Sequence, residues 1–277
     1  MHDFNGKTAV ITGAASGIGR ALVDRCLTEG MNVVLADIEQ AALDSTMASL
    51  QQAGARVHAQ QLDVSNPEQM DKLARITVQT FGAVHLLFNN AGVGAGTTAW
   101  QSTLADWTWV MGVNLWGVIH GIRAFVPIME TQKEPGFVVN TASIAGLIKG
   151  HHSAAYATTK HAVVALTEQL AVEFERTGSL LKAAVLCPSW VNTRINEGGR
   201  NRPGDLRNPV PANAPPPSPE AIRRWEELQA ATARATPPSE IADFTFAGLR
   251  AGKLYLLPHP ESHAWVRRRF DGITRDF

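Results

Sequence analysis

TAVITGAASGIG, residues 8–19, joins a short apolar run to a glycine-rich turn. Apolar residues at helical spacing follow from Ile18 to Thr28, so the stretch predicts a strand, a glycine turn and a helix. The backbone N–H groups of such a turn and the positive end of the helix dipole point at whatever fills the turn, and a pyrophosphate is the natural occupant. Glycine suits these positions because a side chain would block the close approach of phosphates. The spacing G-x-x-x-G-x-G differs from the common dinucleotide fingerprint G-x-G-x-x-G.

The same strand–helix unit recurs along the chain. Further strands are predicted at residues 32–36, 56–61, 84–88, 137–140, 181–187 and 253–257, and further helices at 39–52, 67–81, 104–129, 154–176, 220–234, 239–251 and 261–270. The strands are apolar nearly throughout, as a parallel sheet covered on both faces requires. With right-handed crossovers, the pattern predicts an α/β fold, a Rossmann-like, doubly wound parallel sheet of about seven strands with helices on both faces, in a single domain over residues 1–277.

Residues 196–219 interrupt this regularity. They hold seven of the 15 prolines, many glycine and asparagine residues and no apolar period, so a loop is predicted there instead of a strand or helix. Long loops often act as lids over active sites. We therefore expect residues 196–236, this loop and the helix after it, to form a substrate loop or lid that orders on ligand binding.

The composition excludes several classes of protein. Of the 277 residues, 45% are hydrophobic and 18% are charged, which excludes a disordered chain. The 25 basic residues balance the 25 acidic ones without a long basic tract, so no nucleic-acid partner is expected. Cys26 and Cys187 stand far apart, and we expect two buried thiols in a reducing compartment and no metal site. With no apolar signal core and no apolar run long enough to cross a bilayer, a cytoplasmic protein without a membrane partner is expected.

A carboxylate at the end of the second predicted strand indicates which dinucleotide would bind. Asp37 can accept hydrogen bonds from the adenosine ribose hydroxyls and would repel a 2′-phosphate, which favours NAD over NADP. Ser16 and Ile38 stand at positions where an NADP site would have Arg or Lys. In the alternative interpretation, Asp37 only caps the helix that follows it.

Further candidates follow the third and fourth strands, since loops at the carboxyl ends of parallel strands are where ligands bind in such sheets. Asp63-Val64 ends the third strand and Asn89-Asn90-Ala91-Gly92 ends the fourth. The predicted cofactor-binding residues are then Gly13, Ser16, Gly17, Ile18, Gly19, Asp37, Asp63, Val64, Asn90, Ala91 and Gly92.

A tyrosine and a lysine share one face of the predicted helix 154–176. Tyr156 and Lys160 are four residues apart, which places the phenol and the ammonium side by side. A tyrosine has a reference pKa near ~10, and the lysine cation is expected to lower the pKa of Tyr156 towards neutrality. The pair can therefore serve as an acid or a base. Ser143 ends the fifth strand at the same sheet edge, where its hydroxyl can donate to a substrate oxygen.

Taken together, these motifs resemble the short-chain dehydrogenase/reductase family, in its short single-domain branch. The resemblance covers roughly residues 5–257, and the motifs that carry it are Thr12–Gly19, Asp63, Asn89–Gly92, Asn114, Ser143, Tyr156, Lys160 and Pro188–Thr193. The extended branch of the family, with its epimerases and dehydratases, has longer chains and a differently spaced glycine turn.

The resemblance implies a catalytic set of Asn114, Ser143, Tyr156 and Lys160. Tyr156 would exchange a proton with the substrate oxygen while hydride passes between the substrate carbon and the nicotinamide. Lys160 would lower the pKa of Tyr156 and hold the nicotinamide ribose, and Ser143 would orient the substrate oxygen. Asn114 would break the regularity of its helix and anchor a water that relays protons.

The turn after the sixth strand departs from the family pattern. Members usually have glycine after the proline, and here Ser189-Trp190 stands in that place. Val191 and Thr193 still match, so the nicotinamide carboxamide is expected to bind through them, with Trp190 covering the ring. The resemblance thereby adds Tyr156, Lys160, Pro188, Val191 and Thr193 to the predicted cofactor-binding residues.

The substrate pocket of this family is built from the loops after strands four, five and six, which here are residues 93–100, 144–153 and 193–219. Gly94, Ala95 and Gly96 leave room, and apolar walls are expected from Leu147, Trp100, Trp190 and Ile195. These walls favour a hydrophobic or cyclic secondary alcohol, bound by Ser143, Tyr156 and Trp190. Core packing of the two tryptophans is equally compatible with the sequence. His151 and His152 are expected at the surface or against a polar substrate group.

The leading hypothesis is an NAD-dependent alcohol dehydrogenase or ketoreductase acting on a small-molecule alcohol or ketone. A non-catalytic NAD(H)-sensing protein is the first alternative, which the intact Ser143, Tyr156 and Lys160 disfavour. A dehydratase or epimerase is the second, which the glycine spacing and the chain length disfavour. The resemblance also implies a homodimer or homotetramer, paired through helices 104–130 and 154–176.

Overall fold

Seven parallel strands form one sheet, in the order β3-β2-β1-β4-β5-β6-β7. The strands are β1 Thr8–Thr12, β2 Asn32–Asp37, β3 Val57–Gln61, β4 Leu86–Asn89, β5 Gly136–Thr141, β6 Leu181–Leu186 and β7 Tyr255–Leu256. The computed structural model describes residues 2–150, 153–209, 213, 216 and 218–275. The strand order reverses between β1 and β4, so the predicted doubly wound sheet is confirmed.

Helices cover both faces of this sheet. They are α1 Gly17–Thr28, α2 Gln40–Gln52, α3 Pro67–Phe81, α4 Leu104–Met111, α5 Gly117–Thr131, α6 Ala154–Thr177, α7 Pro219–Ala233, α8 Pro238–Arg250 and α9 Ser262–Thr274. Neighbouring residues of β1 face opposite layers: Ile11 packs with α1 and α8, and Val10 packs with α3, α5 and α6. Because both faces of the strand are buried, its sequence is apolar throughout.

The helix predicted over residues 104–129 is interrupted. A π-helical turn, Gly112–Trp116, separates α4 from α5, and the fully buried Asn114 lies at its centre. The Asn114 side chain bonds the backbone of Val93 in both directions, at 2.8 Å to its N–H and at 2.9 Å to its carbonyl oxygen. Single π turns inside α-helices often occur at functional sites. The break in regularity that the family resemblance implies at Asn114 is therefore present.

The helical stretch Leu104–Thr131 has the length and apolar composition of a membrane span, with a mean hydropathy of 1.2 in its most apolar window. This differs from the expectation that no run of the sequence is long enough. Half of that window is buried inside the protein, where Val118, Phe125 and Met129 pack in the core. Packing against the sheet therefore accounts for the apolar composition of this helix.

The stretch 196–219 is not a plain loop. Two 3₁₀ helices, Ile195–Asn201 and Gly204–Leu206, occupy its first part, so the prediction of a loop without helix is wrong there. Their sequences show no apolar period because polar contacts to Glu39 and Asp106 hold them in place. Residues 210–212, 214, 215 and 217 of the same stretch lie outside the described residues.

Candidate active site

The glycine turn and the first turn of α1 form a cradle of backbone N–H groups at the carboxyl edge of the sheet. Gly17 has a φ of +51°, and a Cβ at Gly19 would lie 1.9 Å from the carbonyl oxygen of Gly13. Side chains are therefore excluded from these positions. The Ser16 side chain makes no capping bond to α1, so the free N–H groups and the helix dipole are directed at the cleft in front of them.

Asp37 ends β2 beside this cradle and lines the same cleft. One carboxylate oxygen accepts a hydrogen bond from the Ala15 N–H at 2.9 Å, and the other accepts from the Glu39 N–H at 3.0 Å. The side chain thus fastens the glycine turn to β2 and also shapes the start of α2, so the capping interpretation describes part of its contacts. A carboxylate has about four lone-pair sites, and capacity for a further donor is left.

Asp63 and Val64 follow β3 and line the cleft, where the sequence placed them. The Asp63 carboxylate accepts from both the N–H and the hydroxyl of Ser65, each at 2.8 Å. The Val64 carbonyl oxygen lies 3.0 Å from Nδ1 of the buried His120. These contacts fix the turn between β3 and α3 as a wall of the cleft.

Asn90, Ala91 and Gly92 follow β4 on the other side of the cradle. The Thr12 hydroxyl oxygen accepts from the N–H groups of Asn90 and Ala91 at 2.9 and 3.0 Å, and the Asn90 amide donates to the Thr12 carbonyl at 3.0 Å. Since Thr12 ends β1, these bonds join the two strands between which the sheet order reverses. A Cβ at Gly92 would lie 3.5 Å from Lys160 Nζ, so this turn reaches from the cradle to the lysine.

The structure brings Ser143, Tyr156 and Lys160 together at one end of the cleft. One turn of α6 separates Tyr156 from Lys160, so the helix itself places both side chains on one face. Lys160 Nζ lies 5.5 Å from the centre of the Tyr156 ring and donates to the Thr141 carbonyl at 2.9 Å. Ser143 Oγ lies 3.4 Å from the carbonyl oxygen of Pro188. A phenol, an ammonium and a hydroxyl thus face one space next to the nucleotide cradle.

Burial governs the protonation of these side chains. It raises the pKa of Tyr156, and a hydrogen bond with Ser143 lowers that pKa by less. Burial also lowers the pKa of Lys160 to about 8. The pKa of Tyr156 is therefore raised and not lowered as expected, because desolvation of the phenol dominates and the ammonium is directed at the Thr141 carbonyl. A lowering contribution from Lys160 stays a prediction.

Asn114 connects the loop after β4 to α6. Besides its two bonds to Val93, its amide lies 3.3 Å from the Thr159 hydroxyl oxygen, and that hydroxyl donates to the Tyr156 carbonyl at 2.8 Å. A Cβ at Gly92 would lie 3.5 Å from Asn114 Oδ1, as it would from Lys160 Nζ. The side chain therefore lies beside the lysine, as the family resemblance implies, and its relay of protons through a water stays a prediction.

The turn Pro188–Thr193 lies over the glycine turn. A Cβ at Gly17 would lie 3.0 Å from the methyl carbon of Thr193, so the two turns are in close contact. Among the described residues other than glycine, Lys133 alone has a positive φ. Ser189 therefore has a conformation that any residue can adopt, and the serine in place of the usual glycine does not strain this turn.

A cleft of about 510 Å³ runs from the cradle to Tyr156. Trp190 and Ile195 line it, as predicted, and Trp190 is 56% exposed at its margin. The expectations for Trp100 and Leu147 are wrong. Trp100 is 83% exposed and Leu147 is buried in the core, and neither lines the cleft.

Further apolar walls come from Trp109 and Val113, which the sequence analysis missed. Ile144 and Leu228 also line the cleft, and they lie in the predicted pocket loop 144–153 and the predicted lid 196–236. Trp109 is buried and packs with Ala155, the residue before Tyr156. A signal for two of them existed, because Trp109 and Val113 are four residues apart on a predicted helix that also carries Asn114. His151 and His152 lie outside the described residues.

A strap, residues 195–208, follows the turn after β6 and lines the cleft with its first half. One end is attached to the connection between β2 and α2. Arg200 Nε and Asn201 Nδ2 each donate to Glu39 Oε1 at 2.9 Å. Burial alone would raise the pKa of Glu39, but the hydrogen bonds from Asn201 and Arg200 outweigh it and lower that pKa. The Glu39 contact joins segments 161 residues apart.

The other end of the strap is attached to α4. Arg202 and Asn208 donate to Asp106 Oδ1 at 2.6 and 3.0 Å. The side chains of Arg202 and Asp106 are only 11% and 7% exposed, and the guanidinium lies 5.2 Å from the Trp109 ring centre. A nearly buried ion pair is costly to break from one side. The strap is therefore held on both sides of the cleft.

Asp106→Asn is expected to loosen the strap, because the nearly buried guanidinium loses its charged partner. Under native conditions, trypsin should cleave at the arginines of the strap about tenfold faster than in the parent protein. Mass spectrometry of the fragments over time measures this rate. The control variant Glu220→Gln breaks an exposed Glu220–Arg224 pair on α7 and should change the rate little. Equal cleavage of Asp106→Asn and the parent would contradict the anchoring role.

Cys26 and Cys187 are both buried free thiols, as predicted. Burial raises the pKa of Cys187 to about 12. In the part of the chain that the structure describes, no group of three or more His, Cys, Asp or Glu side chains is placed to hold a metal ion.

Comparisons with known proteins agree with this geometry. The profile described as short chain dehydrogenase matches residues 7–203. The chain is 38% identical over 280 residues to 1-deoxy-11-beta-hydroxypentalenate dehydrogenase of Streptomyces exfoliatus, across 99% of this chain and 90% of that protein. It is 36% identical over 196 residues to 3beta-hydroxysteroid dehydrogenase 2 of Eggerthella lenta, across 70% of this chain and 75% of that protein.

A solved structure shows the same likeness in three dimensions. A short chain dehydrogenase/reductase from Burkholderia phymatum, in complex with NAD, has a TM-score of 0.93 at 43% identity, across 100% of this chain and 97% of that chain. The seven-stranded parallel sheet agrees with this likeness. The chain therefore belongs to the short-chain dehydrogenase family and is an alcohol dehydrogenase or ketoreductase.

Proposed function

We propose that this enzyme uses NAD(H) to interconvert a hydrophobic or cyclic secondary alcohol and its ketone. The observation that carries the proposal is the placement of Ser143, Tyr156 and Lys160 in one cleft with the glycine cradle. Alcohol oxidation removes a proton from oxygen and a hydride from carbon, so a proton-transfer group must lie next to a nicotinamide site.

The residues of the cradle fit a dinucleotide. The free N–H groups at the start of α1 would hold the pyrophosphate, and Gly13, Ser16 and Gly17 line the cleft that these groups face. Gly19 does not line the cleft; it lets the helix pack closely on the Gly13 carbonyl. Asp37 would accept from the adenosine ribose, which supports NAD over NADP. Val191 and Thr193 would hold the nicotinamide carboxamide. That the Burkholderia phymatum relative is in complex with NAD supports the same choice.

In the proposed mechanism, the nicotinamide supplies hydride transfer and the chain supplies proton transfer and orientation. Tyr156 exchanges a proton with the substrate oxygen, and Ser143 holds that oxygen with a second hydrogen bond. Lys160 holds the nicotinamide ribose, and Asn114 holds the loop beside it. Because burial raises the pKa of Tyr156, the phenol is protonated at neutral pH and is ready to donate to a ketone. Alcohol oxidation needs the phenolate, and alkaline pH favours it.

The substrate class is proposed from the walls of the cleft. Trp109, Val113, Ile144, Ile195 and Leu228 give the cleft an apolar lining. Such a lining favours a substrate with a large, apolar carbon skeleton. Only a few polar side chains of the cleft would contact its reacting oxygen. The relatives named for hydroxypentalenate and for 3beta-hydroxysteroid, both cyclic substrates, support this choice.

Asp37→Ser tests the cofactor assignment. Loss of the carboxylate should weaken NADH binding about tenfold, because hydrogen bonds from the ribose hydroxyls to a charged group are lost. The same change should strengthen NADPH binding, because the repulsion of the 2′-phosphate is removed. Titration of protein fluorescence with each nucleotide measures both dissociation constants. The control Asp44→Asn, at an exposed position of α2, should leave them unchanged. An unaltered ratio of the two constants in Asp37→Ser would refute the assignment.

The assembly and the location of the enzyme belong to the same proposal. We place the enzyme in the cytoplasm as a homodimer or homotetramer acting on a small molecule. Large apolar side chains are exposed on the helices that pair in the family, among them Trp116 at 50% and Val172 at 55%. The two free thiols suit a reducing compartment.

A further inference from the structure

A histidine beyond β7 contacts the turn at the end of β6. His259 is 7% exposed and lies between Pro258 and Pro260. Its Nδ1 accepts a hydrogen bond from the Ser189 N–H at 3.1 Å, and its Nε2 lies 3.0 Å from the Thr236 hydroxyl oxygen. Both ring nitrogens of a buried side chain are therefore engaged, on two separate segments.

These two partners determine the tautomer of the ring. A backbone N–H can only donate, so Nδ1 of His259 carries a lone pair. The ring proton of the neutral imidazole then sits on Nε2 and is donated to the Thr236 hydroxyl oxygen. The ring thus has one acceptor and one donor, each directed at a different segment.

The backbone of His259 is itself fixed. The N–H and the hydroxyl of Ser262, at the start of α9, donate to its carbonyl oxygen at 3.0 and 2.5 Å. The two flanking prolines further restrict the backbone. The ring is therefore held from a rigid base, and its bond to Ser189 passes that rigidity to the turn after β6.

The same turn contacts the catalytic serine and the segment before α8. The Pro188 carbonyl oxygen accepts from the Ile144 N–H at 2.8 Å and lies 3.4 Å from Ser143 Oγ. At the far end of the turn, the Asn192 N–H donates to the Thr236 carbonyl at 3.0 Å. A shift of this turn would therefore move both the partner of Ser143 and the residues assigned to the nicotinamide.

We propose that His259 is a positioning residue for the reaction: through the Ser189 N–H it fixes the turn Pro188–Thr193 relative to Ser143. His259 does not line the cleft and acts only through this turn. The inference rests on the proposed function, because the turn is assigned to the nicotinamide carboxamide. Its effect is expected on kcat more than on nucleotide binding, since the cradle and Asp37 hold the other end of the dinucleotide.

Two substitutions separate the two bonds of the ring. In His259→Asn the amide oxygen takes the place of Nδ1 and can still accept from Ser189. In His259→Gln the amide takes the place of Nε2, and the Ser189 N–H loses its acceptor. Hydrogen–deuterium exchange of residues 188–193 in the cofactor-free protein should rise about tenfold in His259→Gln and stay near the parent value in His259→Asn. The kcat should fall about tenfold in His259→Gln and little in His259→Asn, and the affinity for NADH should be kept in both variants.

The outcomes are decisive in either direction. Equal exchange and equal kcat in the three proteins would overturn the inference, and so would an equal loss in both variants. Raised exchange in His259→Gln with an unchanged kcat would also overturn it. If the His variants do not fold, Thr236→Val removes the Nε2 partner alone, and exchange of residues 188–193 should then stay near the parent value. A tenfold rise in that variant would show that the Thr236 bond, and not the Ser189 bond, holds the turn, and would overturn the inference. Because exchange is measured without turnover, failure of the proposed function leaves this readout intact.

Discussion

Tyr156→Phe is expected to lower kcat by a factor of about 10³, because the hydroxyl proposed to exchange a proton with the substrate oxygen is removed. The phenylalanine keeps the ring and its packing beside Lys160. NADH binding should therefore stay within about threefold of the parent value, since the cradle and Asp37 do not depend on the phenol. Stopped-flow or steady-state rates with a panel of cyclic secondary alcohols, together with a fluorescence titration of NADH, measure the two effects separately.

The chain offers a matched control for this substitution. Tyr255, the other of its two tyrosines, is exposed on β7, and its hydroxyl donates to Glu168 at 2.7 Å. Tyr255→Phe should leave kcat unchanged. Full activity of Tyr156→Phe would refute Tyr156 as the acid or base. A parent protein that binds NADH but turns over no alcohol or ketone in a broad panel would instead favour the NAD(H)-sensing alternative.

Lys160→Met is expected to abolish turnover and at the same time to stabilise the fold. Lys160 is 3% exposed, and burial lowers its pKa from 10.5 to about 8. At neutral pH the folded protein therefore carries a buried charge whose cost corresponds to about 3 kcal/mol. Removal of the hydrogen bond to the Thr141 carbonyl offsets about 1 kcal/mol of this gain. The free energy of unfolding at pH 7 should rise by about 2 kcal/mol in the variant.

The pH dependence gives this prediction a specific sign. Between pH 8 and pH 10.5 the unfolded chain holds the Lys160 proton and the folded chain does not, so the stability of the parent rises with pH in that window. Below pH 8 the lysine is protonated in both states and its cost is constant. The advantage of Lys160→Met should therefore be largest below pH 8 and disappear as pH approaches 10.5.

Urea unfolding at several pH values measures this difference. Lys182→Met is the control, because Lys182 is an exposed residue of β6 and its removal should give no pH-dependent difference. A variant that is less stable than the parent at pH 7, or an advantage that grows with pH, would contradict the assignment of a buried charge to Lys160.

The fold and much of the site can be predicted from local patterns in the sequence. The glycine turn of residues 12–19 can be predicted because its constraint is local. The turn reverses within a few residues, and a Cβ at Gly19 would meet the Gly13 carbonyl. The spacing of Tyr156 and Lys160 is readable because one helical turn brings them together. The position of Asp37 beside the ligand cleft can be predicted because all parallel strands end at one edge of the sheet.

The tertiary structure alone decided how that site is closed and protonated. Trp109 lines the cleft and Trp100 does not, although both lie near the same loop, because only the helix that carries Trp109 packs against α6. The contact of Arg200 with Glu39 joins residues 161 positions apart, and that of His259 with Ser189 joins residues 70 apart. Neither pair has a spacing that a local rule can recognise.

The pKa of Tyr156 shows the same limit. The spacing of Tyr156 and Lys160 predicts a neighbouring cation and hence a lowered pKa of Tyr156, whereas burial in the folded protein raises that pKa. Spacing cannot predict this desolvation, because it depends on every segment that packs around the phenol. Local rules act over one turn or one strand. Contacts and solvation between distant segments are fixed only when the whole sheet and its helices have assembled.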